Sequence, residues 1–160
     1  MINPTILLVE DNDDDVFLMK RALKDARVSV ALHVATDGRQ AIEYLGGDGK
    51  YSDRTQYPLP QFVFLDLKLP YHSGFEVFAW IRQHPDLCDS IIVILTSSPQ
   101  PRDLERAKEL NTYAYLVKPP SAQQLNEILT ADHPEFKLKT LPHLRAQLST
   151  ARAVGIANRL

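Results

Sequence analysis

The distribution of apolar residues along the chain predicts alternating strands and helices. Five short apolar runs are separated by longer segments in which apolar residues recur every three or four positions. The runs cover residues 6–9, 30–35, 62–65, 91–95 and 114–117. All but the second are nearly continuous, which is typical of strands covered on both faces. The pattern therefore predicts an α/β fold, a (βα)5 doubly wound domain with a five-stranded parallel sheet between helices.

The ends of the intervening segments carry helix-start signals. Asp13 and its two acidic successors place carboxylates where the first helix should begin, which favours the positive end of its dipole. Gly38 and Pro101 begin two later helical segments. Residues 46–60 are rich in glycine, proline and polar side chains, so we expect a long loop there, either functional or a tolerated surface insertion.

Length and composition restrict the class of protein. The 160 residues, 44% of them hydrophobic and 24% charged, suit one soluble globular domain with a short appendage. No apolar run approaches the ~18 residues of a membrane span, and no signal peptide is evident, so we expect a cytoplasmic protein without a membrane partner. The single cysteine, Cys88, excludes an intrachain disulfide and is expected to be a bystander.

Charge divides the chain into two parts. Residues 1–131 carry 13 basic and 18 acidic side chains, whereas residues 132–160 carry 5 basic and 2 acidic ones. This shift predicts a domain at 1–131 and a C-terminal extension at 132–160. The extension has an apolar stripe at helical spacing, made of Leu141, Leu144, Leu148 and Ala151. It predicts one amphipathic helix, which packs either on its own domain or at a homodimer or partner contact. The net charge of −2 indicates no nucleic-acid partner.

Candidate chemistry lies at the end of four predicted strands. The residues are Glu10 and Asp11 after the first strand, Asp66 after the third, Thr96 after the fourth and Lys118 after the fifth. Carboxyl ends of parallel strands share the edge where ligands bind. Clustered carboxylates repel one another unless a cation neutralises them, and hard oxygen ligands favour Mg²⁺. An aspartate can accept a phosphoryl group whose oxygens a lysine and a hydroxyl stabilise, so the pattern predicts phosphoryl transfer.

Over residues 5–131 this set resembles the receiver domains of bacterial two-component response regulators. That family has an acidic pair, an acceptor aspartate, a Thr or Ser, an aromatic residue and a Lys-Pro pair at successive strand ends. The matching segments here are Val9-Glu10-Asp11-Asn12, Asp66-Leu67-Lys68-Leu69-Pro70 with Gly74, Thr96, Tyr115, and Val117-Lys118-Pro119. They are most similar to small stand-alone, chemotaxis-regulator-like proteins, a group that includes partners of bacterial phytochromes. The resemblance implies a flavodoxin-like strand order of 2-1-3-4-5.

The resemblance also implies how the acidic residues act. Asp66 would be the catalytic phospho-acceptor, taking its phosphoryl group from a sensor histidine kinase such as a bacterial phytochrome. Mg²⁺ would sit on Asp11, Asp66 and the main-chain carbonyl of Lys68. Glu10 would act on the metal through water.

The remaining site residues would respond to the phosphoryl group. Lys118 would pair with its oxygens, and the Lys118–Pro119 bond would be cis. Thr96 would move to meet the phosphoryl group, and Tyr115 would swing inward behind it. The chain would be a single-domain response regulator that signals by binding an unknown downstream protein. It would not be an enzyme beyond its own phosphotransfer and slow autodephosphorylation.

Three alternatives stay open on the sequence. An aspartate-nucleophile phosphatase of the haloacid dehalogenase type needs an acid two residues after the nucleophile, where this chain has Lys68. A flavodoxin-like cofactor binder needs a phosphate loop after the first strand, where the residues here are acidic. A phosphorelay intermediate would pass the phosphoryl group onward. The histidines lack metal-ligand spacing and are expected not to be ligands: His33, His72, His84, His133 and His143.

Overall fold

The structure is a computed structural model that describes residues 3–87 and 89–133. Cys88 and the amphipathic helix predicted within 132–160 lie outside the described residues. Strands and α-helices alternate through the described part: β1 Thr5–Val9, α1 Asp13–Asp25, β2 Ala31–Ala35, α2 Gly38–Gly46, β3 Phe62–Asp66, α3 Gly74–Arg82, β4 Ile91–Thr96, α4 Pro101–Glu109, β5 Ala114–Val117 and α5 Ala122–Thr130. The predicted alternation is confirmed.

The strands form one parallel sheet in the order β2-β1-β3-β4-β5. The strand order reverses at β1, whose two neighbours are β2 and β3. In such sheets the loops that follow strands on either side of the reversal point diverge and leave a crevice at the carboxyl edge. The α/β class and the strand order implied by the resemblance are therefore both confirmed.

Both faces of the sheet are buried, which explains the continuous apolar runs. In β1, Leu7 and Val9 belong to the core under α2, α3 and α4, while Ile6 and Leu8 belong to the core under α1 and α5. Alternate residues of a strand point to opposite faces of the sheet. A strand that is covered on both faces therefore has apolar residues at consecutive positions. The central strands are consequently held by apolar packing above and below.

Side-chain caps define where the helices begin. The Oδ1 atom of Asn12 accepts hydrogen bonds from the backbone N–H groups of Asp14 (2.9 Å) and Asp15 (3.1 Å), which fixes the start of α1. Ser73 and Ser121 begin α3 and α5 with reciprocal capping boxes. These caps satisfy N–H groups that have no partner within the helix and so hold the first turns rigidly at the loops that follow the strands.

The stretch at 46–60 is packed against the domain. It contains a short 3₁₀ helix, Gly49–Ser52. The Arg54 guanidinium donates hydrogen bonds to the carbonyls of Tyr44 (2.8 Å) and Leu45 (2.7 Å) at the end of α2. The Tyr44 carbonyl also accepts the Gly47 N–H at 3.2 Å, so Arg54 and the C-cap together satisfy the carbonyls at the C-terminus of α2. The stretch is thus an integrated part of the fold beside β2.

Gly74 lies where the first turn of α3 approaches the end of β3 most closely. A Cβ atom at this position would lie 2.2 Å from the Asp66 carbonyl oxygen and 2.8 Å from Leu67 Cα. Both neighbours are backbone atoms, which cannot rotate away. A glycine is therefore required for α3 to begin directly beside Asp66.

We expect Gly74→Ala to lower the free energy of unfolding by about 1–3 kcal/mol, the usual cost of forcing extra volume into a packed region. Gly46→Ala is the matched control, because an added Cβ there meets the flexible Asp48 carboxylate at 3.0 Å and the Trp80 ring at an ordinary contact distance of 3.8 Å. Its free energy of unfolding should change by less than about 0.5 kcal/mol, as for most surface substitutions. Urea denaturation of both variants measures the difference, and equal values would contradict the close approach.

Candidate functional site

The carboxylates of the two central strands meet at the carboxyl edge of the sheet. Glu10 follows β1 and Asp66 ends β3, and these strands are neighbours. Glu10 and Asp66 are only 2% and 5% exposed, whereas the neighbouring Asp11 is exposed. One carboxylate oxygen from each of the three lies within 4.8 Å of the others. The predicted convergence of acidic side chains is therefore present.

The donor set of this cluster fits a hard divalent cation. All the side-chain ligand atoms are carboxylate oxygens, and two of the three residues are buried. Buried carboxylates are unfavourable unless positive charge compensates them. Mg²⁺ and chemically similar ions bind through a few carboxylates and keep other positions for water or phosphate. Among the described residues, Glu10, Asp11 and Asp66 form the group of three possible metal ligands whose atoms lie close together. The group contains no histidine.

Lys118 provides positive charge to the same carboxylates. Its Nζ atom donates hydrogen bonds to Glu10 Oε2 (2.8 Å), Asp15 Oδ2 (2.8 Å) and Asp66 Oδ2 (3.0 Å). An ammonium group has three donors, so all of them are used. Burial lowers the pKa of Lys118, but the hydrogen bonds to Asp15, Glu10 and Asp66 outweigh it and raise this pKa overall. The lysine is therefore a permanent cation within the cluster.

Asp15 is a member of the site that the sequence reasoning missed. It was assigned only to the acidic start of the first helix, together with Asp13 and Asp14. In the structure its carboxylate is the third partner of Lys118. Side chains on a helix tilt toward its N-terminus, which directs this first-turn residue back to the end of β1. Helical geometry could have suggested that direction, but the contact depends on where β5 lies.

Burial dominates the protonation of Glu10. It raises the pKa of this carboxyl from 4.5 to about 7, and the nearby Asp66 contributes in the same direction. The hydrogen bonds from Lys118 and from the Asn12 N–H (3.1 Å) lower the pKa but do not cancel the effect of burial. The net direction is upward, so burial disfavours the ionised form of Glu10 even with Lys118 in contact.

Thr96 ends β4, and its side chain is directed into a local turn. Its Oγ1 atom donates to the Ser98 carbonyl and accepts from the Ser98 N–H, both at 3.1 Å. The Lys118 N–H donates to the Thr96 carbonyl at 2.7 Å, which joins the ends of β4 and β5. In the described part of the chain the Thr96 hydroxyl forms no hydrogen bond with the acidic cluster. Thr96 thus lies at the sheet edge, but its hydroxyl is bonded to Ser98 and not to Asp66.

Tyr115 turns its hydroxyl into the protein. The ring packs against the core under α2, α3 and α4, and the buried hydroxyl has no well-formed hydrogen bond among the described residues. Burial raises the pKa of Tyr115, and the neighbouring polar groups of Thr96 and Gln100 offset this only in part. Tyr115 and Thr96 are therefore close in the fold.

Lys68 and the Lys-Pro pair complete the predicted set. Lys68 is exposed, and its backbone N–H donates to Asp66 Oδ1 at 3.2 Å. The Lys118–Pro119 peptide bond is cis, as the resemblance implied. Within the part of the chain that the structure describes, no helix is long and apolar enough to cross a membrane.

Comparisons with known sequences identify relatives of this chain. The profile of the response regulator receiver domain matches residues 6–130. The response regulator Rcp1 of Synechocystis sp. is 38% identical over 113 residues, which cover 71% of this chain and 75% of Rcp1. The profile match includes every strand and helix of the described fold except Thr5, the first residue of β1, and therefore includes the whole acidic edge.

Solved structures show the same architecture. The bacteriophytochrome response regulator AtBRR superposes with a TM-score of 0.70 at 38% identity, covering 78% of this chain and 89% of AtBRR. The Mn²⁺-bound form of Rcp1 superposes with a TM-score of 0.67 at 32% identity, covering 86% of this chain and 93% of that structure. With its five-stranded sheet and the acidic cluster at the carboxyl edge, the chain belongs to the response regulator receiver domain family of two-component systems and is similar to phytochrome response regulators.

Proposed function

We propose that this chain accepts a phosphoryl group on Asp66 from a sensor histidine kinase, in a Mg²⁺-dependent reaction, and signals by binding another protein. The observation that carries the proposal is the environment of Asp66. Its carboxylate is buried at the sheet edge, shares a cluster with Glu10 and Asp11, and lies 3.0 Å from the Lys118 ammonium. A nucleophilic carboxylate beside two sources of positive charge suits phosphoryl transfer.

The residues that would hold the metal are Asp11, Asp66 and the Lys68 carbonyl, with Glu10 acting through water. A bound Mg²⁺ would supply charge neutralisation to the phosphoryl oxygens. The all-oxygen donor set supports this assignment, as does the Mn²⁺-bound form of the relative Rcp1. The haloacid dehalogenase alternative is disfavoured, since the exposed Lys68 stands where its second acid would be.

The transfer is a displacement at phosphorus. A carboxylate oxygen of Asp66 forms the new O–P bond while the P–N bond to the kinase histidine breaks, and the departing imidazole nitrogen keeps the electron pair. Lys118 stabilises the charge on the phosphoryl oxygens by exchanging its contact with Asp66 for one with the phosphoryl group. The protein's contribution is mainly position and electrostatics, as in other phosphoryl transfers.

Thr96 and Tyr115 would convert this chemistry into a change of surface. The Thr96 hydroxyl would leave Ser98 and bond to a phosphoryl oxygen, and Tyr115 would follow behind it. The Tyr115 hydroxyl is buried without a well-formed hydrogen bond among the described residues and lies near Thr96, which supports this coupling. A two-state change requires contacts that differ between the states, and the phosphoryl group supplies one for Thr96. The affected surface would comprise α4, β5 and α5.

The similar proteins support a proposal for the kinase partner of this chain. AtBRR and the phosphorylated RcpA, which is 32% identical, are described as phytochrome response regulators. We therefore propose a bacterial phytochrome as the kinase. The extension at 132–160 would provide a contact with a downstream protein or with a second copy in a homodimer.

Asp66→Asn should abolish phosphorylation, because the amide cannot act as the nucleophile. The measurement is incorporation of phosphate from labelled acetyl phosphate in the presence of Mg²⁺. We expect labelling of the wild-type chain and only background labelling of the variant, and removal of the metal with EDTA should have the same effect.

Asp86→Asn is the control for this labelling experiment. Asp86 is exposed on a short 3₁₀ helix that precedes β4, at the opposite edge of the sheet. It should label like the wild type. Equal labelling of Asp66→Asn and the wild type would show that the acceptor lies elsewhere.

Lys118→Ala should destabilise the metal-free protein by about 1–3 kcal/mol, because buried carboxylates lose their ion-pair partner. The loss should shrink in saturating Mg²⁺, which compensates the same carboxylates. Chemical denaturation with EDTA and with Mg²⁺ measures both values. Lys108→Ala serves as the control, since Lys108 pairs with Glu105 only at the surface, at 3.8 Å. If Mg²⁺ does not reduce the loss of stability in Lys118→Ala, the metal and the lysine do not neutralise the same carboxylates.

A further inference from the structure

Lys118 has three carboxylate partners, and two of them belong to the candidate metal cluster. Glu10 and Asp66 each contact the ammonium and each contribute to the converging oxygens. The third partner, Asp15, contacts the ammonium at 2.8 Å but is not one of those three ligands. A metal ion and Lys118 would therefore compete for Glu10 and Asp66 but not for Asp15.

Asp15 is held firmly where it meets Lys118. Its backbone N–H is bonded to the Asn12 side chain at 3.1 Å, so its first turn of α1 is fixed. The carboxylate reaches across to β5, linking residues 103 positions apart in the chain. Its side chain is 29% exposed, against 2% for Glu10, so the Asp15 carboxylate keeps more of its hydration while it contacts the lysine.

We propose that Asp15 is a positioning residue that retains the Lys118 ammonium when a divalent cation occupies the acidic cluster. This inference rests on the proposed function, since it concerns the state in which metal and lysine act together. Two cations that share the same carboxylates repel each other. The Asp15 carboxylate would continue to neutralise the charge of the Lys118 ammonium while Glu10 and Asp66 bind the metal.

The neighbouring Asp14 provides a matched control. It lies in the same helical turn, carries the same charge and is exposed, but it has no contact with Lys118 among the described residues. Removing either carboxylate changes the net charge by the same amount within the same turn of α1. The comparison of both variants with and without Lys118 therefore separates the contact with Lys118 from general electrostatics.

The test is a double-mutant cycle on metal binding, with Mn²⁺ as the probe in titration calorimetry. Asp15→Ala and Asp14→Ala are each made in the wild-type chain and in a Lys118→Met background. We expect Asp15→Ala to weaken Mn²⁺ binding roughly tenfold, the size of one hydrogen bond to a charged group. Asp14→Ala should weaken it by about twofold or less, as for a solvated surface charge. In the Lys118→Met background, Asp15→Ala and Asp14→Ala should change the Mn²⁺ affinity by the same factor.

Two further measurements separate positioning from a structural role. Without metal, Asp15→Ala should lower the free energy of unfolding less than Lys118→Ala does, because Lys118 keeps its contacts with Glu10 and Asp66. Asp15→Glu, which preserves the carboxylate, should restore Mn²⁺ binding toward the wild-type value. If Asp15→Ala does not fold, Asp15→Asn carries the same comparison against Asp14→Asn.

Equal effects of the Asp15 and Asp14 variants in both backgrounds would overturn the inference, as would an effect of Asp15→Ala that persists without Lys118. Labelling with acetyl phosphate distinguishes this outcome from failure of the proposed function. If the wild-type chain is labelled but the cycle shows no coupling, only the role of Asp15 is wrong. If the wild-type chain is not labelled, the proposed function itself is wrong.

Discussion

The burial of carboxylates at the ends of the two central strands is the constraint on which the site depends. Glu10 and Asp66 lose most of their hydration there, and burial alone raises the pKa of Glu10 markedly. Such charges persist only where a cation lies within direct contact. Lys118, which follows β5, contacts both carboxylates, so the end of this outer strand is joined to the ends of β1 and β3.

The backbone around the acidic edge is arranged for close approach. Gly74 allows α3 to begin against the Asp66 carbonyl, and the Lys118 N–H bonds to the Thr96 carbonyl. Helix caps on Asn12 and Ser73 fix the turns that follow β1 and β3. These contacts hold the backbone at the acidic edge in a fixed position, against which the side chains of the site are placed.

The same compensation that stabilises the site also makes it responsive. An ammonium with all three donors engaged can form a new bond only by giving up an old one. Thr96 is similarly committed to Ser98, while the Tyr115 hydroxyl is buried without a well-formed partner among the described residues. Under the proposed function, a phosphoryl group on Asp66 would redistribute these paired contacts. The two states would then differ in the contacts made at this edge.

Local signals in the chain were enough to predict the α/β class, the strands and the acidic edge. Continuous apolar runs identify strands buried on both faces, and the residue after each run lies at the carboxyl edge in any parallel sheet. Asp66 and Lys118 were predicted from their positions after the third and fifth runs, and the family resemblance then implied their roles. The contact between Asp15 and Lys118 is visible only in the folded protein, since it joins α1 to the residue after β5 across 103 positions. The folded protein likewise shows that Arg54 packs the 46–60 stretch onto α2 and that Thr96 pairs with Ser98. Such contacts depend on how elements pack and on side-chain direction, which no periodic pattern in the chain encodes.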